Sequence, residues 1–104
     1  MSIPIKSPDE IAQMRIVGGL AFGILQQLTT SCHPGMTTRE LADIAGPLIL
    51  KAGAVPTMKG FQFGDSTPFP SAACICVNEE SFHALPSDRV IRAGDVVTID
   101  IVMT

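Results

Sequence analysis

A chain of 104 residues, 46% hydrophobic and 16% charged, has the composition of one small folded domain, 1–104, and is neither disordered nor built for solvation. Its net charge of −3, with seven scattered Lys and Arg and no aromatic ladder among them, argues against nucleic acid or an anionic membrane as partner. No stretch reaches the roughly 20 apolar residues of a membrane span, Pro4, Lys6, Asp9 and Glu10 interrupt any signal-peptide core, and an odd number of cysteines excludes a full disulfide framework, so reduced thiols in the cytoplasm are expected.

Ser7-Pro8-Asp9-Glu10 reads as a helix start: Ser7 caps, Pro8 suits the first turn and Glu10 completes a capping box. Ile11, Met14, Val17, Ala21, Ile24, Leu25 and Leu28 then recur at helical spacing and predict a helix to about Thr30. Gly18, Gly19 and Gly23 weaken it intrinsically and suggest close packing against a neighbour. "HPGMTTRE" is a turn followed by a second start, with Thr37 and Glu40 spaced as another capping box. Leu41, Ile44, Ala45, Leu48 and Ile49 supply an apolar face, Gly53 caps the end, and the internal Pro47 predicts a kink or an unpaired carbonyl.

From Val55 to Ser71 the periodicity dissolves into a long loop with apolar side chains, the composition of a site wall or lid. A short strand over 72–78, the loop "EESFHALPSD", the turn "RAGD" and a strand over 95–103 complete the chain. Two helices followed by strands predict an α+β arrangement.

Asp100 is the residue that asks for an explanation. It lies in "VVTIDIVM", which has the β-branched texture of a buried strand, and a buried ionised carboxylate needs a partner. A period of two puts it on a face with Val96, Thr98 and Val102. An arginine partner, an outward turn on an edge strand, and a metal or catalytic role all remain open at this point. His83, in "NEESFHALP", reads as a surface or hydrogen-bonded residue or as a catalyst, and His33 as part of a turn. Cys74 and Cys76 are expected as core thiols whose side chains take opposite faces of their strand, which excludes a shared ion, and no CxxC pair suggests zinc. No phosphate loop, GxSxG elbow or HExxH pair is present.

Four segments in order, "IKSPDEIAQMRIVGGLAFGIL", "HPGMTTRELADIA", "ICVNEESFHALP" and "RAGDVVTIDIVM", together resemble the N-terminal half of type I methionine aminopeptidases. The resemblance covers nearly the whole chain except residues 62–68, which look like a small insertion. It implies half of a pita-bread fold, in which two pseudo-symmetric α+β halves close around a two-metal site. It further implies that Asp100 is the first metal-binding carboxylate and that His83 contacts the substrate backbone as a catalytic and substrate-binding residue. Met58, Phe61 and Phe69 are the implied wall of the methionine pocket.

Asn78, Glu79 and Pro86 match the family stretch around the histidine, whereas Phe82 and Ala84 replace its usual cysteine and glycine. The implied activity is hydrolytic removal of the initiator methionine, with a nascent polypeptide N-terminus as substrate and divalent ions of the Co, Mn, Fe or Zn class as cofactors. One family ligand of five is present, so the 104 residues alone are expected to be inactive. The alternative is a non-catalytic half-fold that binds peptide or protein, or dimerises through its open sheet edge, where a complementary C-terminal half would otherwise sit.

Overall fold

The computed structural model describes residues 2–62, 64, 67–81 and 84–104. Its elements are α1 (Pro8–Ser31), α2 (Thr38–Lys51), β1 (Ala73–Val77) and β2 (Val97–Ile101), the strands pairing antiparallel. The α+β arrangement and the element order follow the sequence reading.

Both helices start on the expected reciprocal caps. Glu10 N–H donates to Ser7 Oγ at 3.2 Å while Ser7 N–H donates to Glu10 Oε1 at 2.8 Å. Thr37 and Glu40 repeat the device, each backbone N–H reaching the other's side chain at 3.1 Å. α2 ends in a Schellman turn, with Gly53 N–H on the Leu50 carbonyl at 3.0 Å and Ala54 N–H on that of Ile49 at 3.2 Å. Gly53 takes φ +81°, which a glycine adopts without the Cβ penalty. Pro47 lies inside an unbroken α2, and both it and Asp43, whose carbonyl loses its donor, are exposed, so water can satisfy that group.

The core lies between the helices and one face of the sheet. Ile24 and Leu28 of α1, Leu41, Ala45 and Ile49 of α2, and Ala73, Ile75 and Val77 of β1 are buried together, with Val97, Ile99 and Ile101 of β2 half-buried against them. Only the C-terminal half of the α1 stripe is covered. Ile11 and Met14, expected on the buried face, are 41% and 57% exposed, and contact with the core begins only at the half-buried Val17 and Ala21. Gly18, Gly19 and Gly23 likewise face open space within the chain, which corrects the expectation of close packing at these positions.

The sheet register pairs Ala73 with Ile101, Cys74 with Asp100, Ile75 with Ile99, Cys76 with Thr98 and Val77 with Val97. Residues 55–57 extend this pairing beyond β1: Val55 and Thr104 exchange backbone hydrogen bonds at 2.7 and 3.1 Å, and Thr57 N–H donates to the Val102 carbonyl at 3.1 Å. Even-numbered residues of β2 therefore point their backbone groups toward β1 and its continuation. Among the described residues no backbone hydrogen bond reaches the other edge of β2. Such an edge is a template for a further strand.

A side-chain clasp locks the strand ends. Asn78 sits at φ +54°, its N–H donates to the Val96 carbonyl, and its side chain both accepts from Val96 N–H and donates to Asp95 Oδ1, each at 2.9 Å. Asp95 Oδ2 accepts from Arg92 N–H at 2.8 Å and so closes the "RAGD" turn. The hydrogen bond from Asn78, then that from the Arg92 backbone, hold the Asp95 carboxyl below the usual carboxylate range. Its stabilisation is therefore complete above the unfolded value and is lost as pH falls below about 4 through the lowered folded value. Asn78→Ala is expected to cost about 2 kcal/mol in urea unfolding, combining two lost hydrogen bonds with left-handed strain. Asn78→Gly should cost less, since it removes the hydrogen bonds and spares the strain.

Candidate functional site

The face of the sheet turned away from the helices carries the candidate site. β1 is buried on both faces. Its odd positions meet the helices, while Cys74 and Cys76 point the other way into a second apolar cluster with Met58 and Phe69, against which Ala84 packs. Met58 and Phe69 arrive from the two limbs of the long loop. Gly60 N–H donates to the Phe69 carbonyl at 2.7 Å and Phe69 N–H to the Phe61 carbonyl at 2.8 Å, so backbone pairing closes the loop at its base. Loop residues thereby become a wall over β1.

Of the three expected pocket residues, Met58 and Phe69 are 9% and 6% exposed and in contact with this cluster, whereas Phe61 is half exposed at its margin. The cysteines depart from expectation. Their side chains share one face, with the Sγ atoms 3.7 Å apart, because residues i and i+2 of a pleated strand point the same way. The period of two by itself places both thiols on the face that carries Met58 and Phe69.

Asp100 keeps its expected face but not its expected burial. As the cross-strand partner of Cys74 it lies on the cysteine side of the sheet. Val96, Thr98, Asp100 and Val102 are all exposed, because the wall that covers β1 does not extend over β2. The carboxylate is solvated, and the desolvation problem posed by its apolar neighbours does not arise in this chain. No arginine partner is seen for it among the described residues. His83 lies outside the described residues, as does Phe82.

The stretch around the histidine is held by charge. Arg89 donates to both carboxylate oxygens of Glu79, at 3.0 and 3.2 Å, and lies 3.7 Å from Glu80. The Arg89 hydrogen bonds hold the Glu79 carboxyl below its usual range, and the Glu79 contact raises the guanidinium. Glu80 Oε1 accepts from Val77 N–H at 2.8 Å, capping the end of β1. On the other side of the stretch, Thr38 N–H bonds the Arg89 carbonyl at 3.1 Å, Ser87 N–H bonds Thr38 Oγ1 at 3.0 Å, and Arg39 pairs with Asp88. Residues 78–80 and 87–91 are thus pinned to β1 and to the start of α2. Asn78 and Glu79, which match the family stretch, act here as anchors of that loop.

Among the described residues no group of three or more His, Cys, Asp or Glu could hold a metal ion, and no helix is long and apolar enough to cross a membrane. Asp100 offers a hard oxygen donor of the kind divalent ions prefer, but a single carboxylate is not a two-metal site.

The family model for metallopeptidase family M24 matches residues 12–104. Methionine aminopeptidase 1 of Bacillus subtilis is 38% identical over 92% of this chain and 37% of its own length. Methionine aminopeptidase 2 of Mycobacterium tuberculosis is 35% identical over 93% of this chain and 32% of its own length. The crystal structure of methionine aminopeptidase from Rickettsia prowazekii superposes with a TM-score of 0.89 at 28% identity, covering 98% of this chain and 39% of that one. The chain therefore spans about a third to two fifths of the length of these relatives.

Proposed function

The chain belongs to metallopeptidase family M24, and from that premise we propose that it forms the first part of a methionine aminopeptidase site. Family membership implies a divalent metal. When bound, such an ion supplies Lewis-acid polarisation of the scissile carbonyl and an activated water. Asp100 is one ligand, and the remaining ligands come from the part of the enzyme this chain does not contain. Met58 and Phe69, over the floor of Cys74 and Cys76, receive the methionine side chain in an apolar, polarisable wall. His83 positions the peptide.

The observation that carries this reading is one face of one sheet. It brings Met58 and Phe69 together over β1 and sets Asp100 on the neighbouring strand, paired with Cys74. The open edge of β2 and the exposed Ile11, Met14, Ile16 and Phe22 of α1 favour a complementary C-terminal part as the covering element. The substrate that follows is a nascent polypeptide N-terminus, in the cytoplasm, with Co, Mn, Fe or Zn as candidate ions.

The test is methionine release from a Met-Ala-Ser peptide. The chain alone should release none with any of these ions, since one carboxylate cannot hold a bridged pair. Joining it to the C-terminal part of the Bacillus subtilis relative should produce activity. Activity from the 104 residues alone, or none from a folded chimera, would overturn the reading. A stable homodimer of the isolated chain that binds peptide without cleaving it would favour the non-catalytic module instead.

A further inference from the structure

Given the methionine aminopeptidase site proposed for this chain, on which this step rests, we infer that Arg89 is a positioning residue. It clamps the two limbs of the stretch in which His83 lies and acts on turnover through that histidine. The limbs are built on different elements. Residues 78–80 are anchored to the sheet, with Val96 N–H on the Asn78 side chain at 2.9 Å and Val77 N–H on Glu80 Oε1 at 2.8 Å. Residues 87–91 are anchored to the start of α2, where Thr38 is buried. Thr38 N–H donates to the Arg89 carbonyl at 3.1 Å, and Ser87 N–H donates to Thr38 Oγ1 at 3.0 Å. Ile91 N–H completes this limb on the Met36 carbonyl at 2.8 Å.

Among the described residues, the polar contacts that join the limbs are those of Arg89. Its Nη1 and Nη2 donate to the two Glu79 carboxylate oxygens at 3.0 and 3.2 Å, and Nη1 lies 3.7 Å from Glu80 Oε2. A bidentate fork fixes distance and angle together, which a point charge does not. For folding the pair matters little, because the Arg89 and Glu79 side chains are 34% and 72% exposed and exposed ion pairs add little stability. What it constrains is the separation of residues 79 and 89, between which His83 lies in sequence. A displacement of about 1 Å in a positioning group can cost up to about a hundredfold in rate. A clamp too weak to govern stability therefore still governs turnover.

In the chimera with the C-terminal part of the Bacillus subtilis relative, Arg89→Ala should lower kcat on Met-Ala-Ser by about tenfold, with KM changed by less than about threefold and metal content unchanged. Arg89→Lys keeps the charge without the fork and should recover only part of that loss. The His83→Ala/Arg89→Ala double variant should be no slower than His83→Ala, since the clamp acts through the histidine. In the 104-residue chain itself, Arg89→Ala should speed hydrogen exchange at the Val77 and Glu80 amides by about fivefold or more. The Ala52 amide, at the end of α2, should exchange as before, which shows that the variant is folded. A kcat within about twofold of the unsubstituted chimera, losses that multiply in the double variant, loss of metal, or unchanged exchange at Val77 and Glu80 would overturn the inference. An unsubstituted chimera without activity counts against the aminopeptidase reading instead, and the exchange result alone then decides whether Arg89 clamps the stretch.

Discussion

Asp100→Asn in the reconstituted chimera is expected to abolish methionine release, by more than about a hundredfold, together with loss of bound metal. An amide is neutral and a poorer donor to hard divalent ions than a carboxylate, and a two-metal centre depends on each charged ligand to keep its ions close. Position 100 is well suited to the swap. It is exposed, paired only through its backbone with Cys74, and free of ion pairs among the described residues, so the substitution should not unfold the chain. His83→Ala should behave differently, slowing turnover by about a hundredfold or more while the metal content stays intact, as expected for a group that positions substrate or moves a proton. Metal analysis beside the kinetics tells the two apart. If Asp100→Asn keeps both metal and activity, the carboxylate has no part in the site.

The second large effect is on stability. Ile75→Ala should destabilise the chain by about 3 kcal/mol, within the roughly 2–5 kcal/mol seen for buried Ile or Leu truncation. Ile75 is 1% exposed at the centre of β1, opposite Ile99 and packed in the cluster that joins both helices to the sheet. Its loss leaves a cavity where α1, α2 and β1 meet. A chain of this size has on the order of 5–15 kcal/mol of stability in total, so the midpoint of urea unfolding should fall sharply at unchanged slope. Ile16→Ala is the control. Ile16 is 66% exposed on α1, and its truncation should change stability by less than about 0.5 kcal/mol.

What could be read from the sequence was local. The two capping boxes, the glycine that ends α2 and the "RAGD" turn involve groups a few residues apart, and their geometry follows from spacing alone. The period-two alternation of β2 was legible for the same reason, since pleating sends neighbours to opposite faces whatever surrounds them. Resemblance in four separated motifs then identified the family.

The tertiary structure decided which faces are covered. Nothing in "VVTIDIVM" distinguishes a buried strand from one whose Asp100 side lies open. That depends on a wall made by Met58 and Phe69, which reaches over β1 and stops short of β2. The α1 stripe is uniform in sequence, yet its burial is graded: Ile24 and Leu28 are buried, Val17 and Ala21 are half-buried against the same core, and Ile11 and Met14 are exposed. The bridge from Asn78 to Asp95 spans 17 residues and exists only once the strands have paired. Periodicity states which side chains travel together, but burial and distance belong to the elements that meet them, and these come from remote parts of the chain.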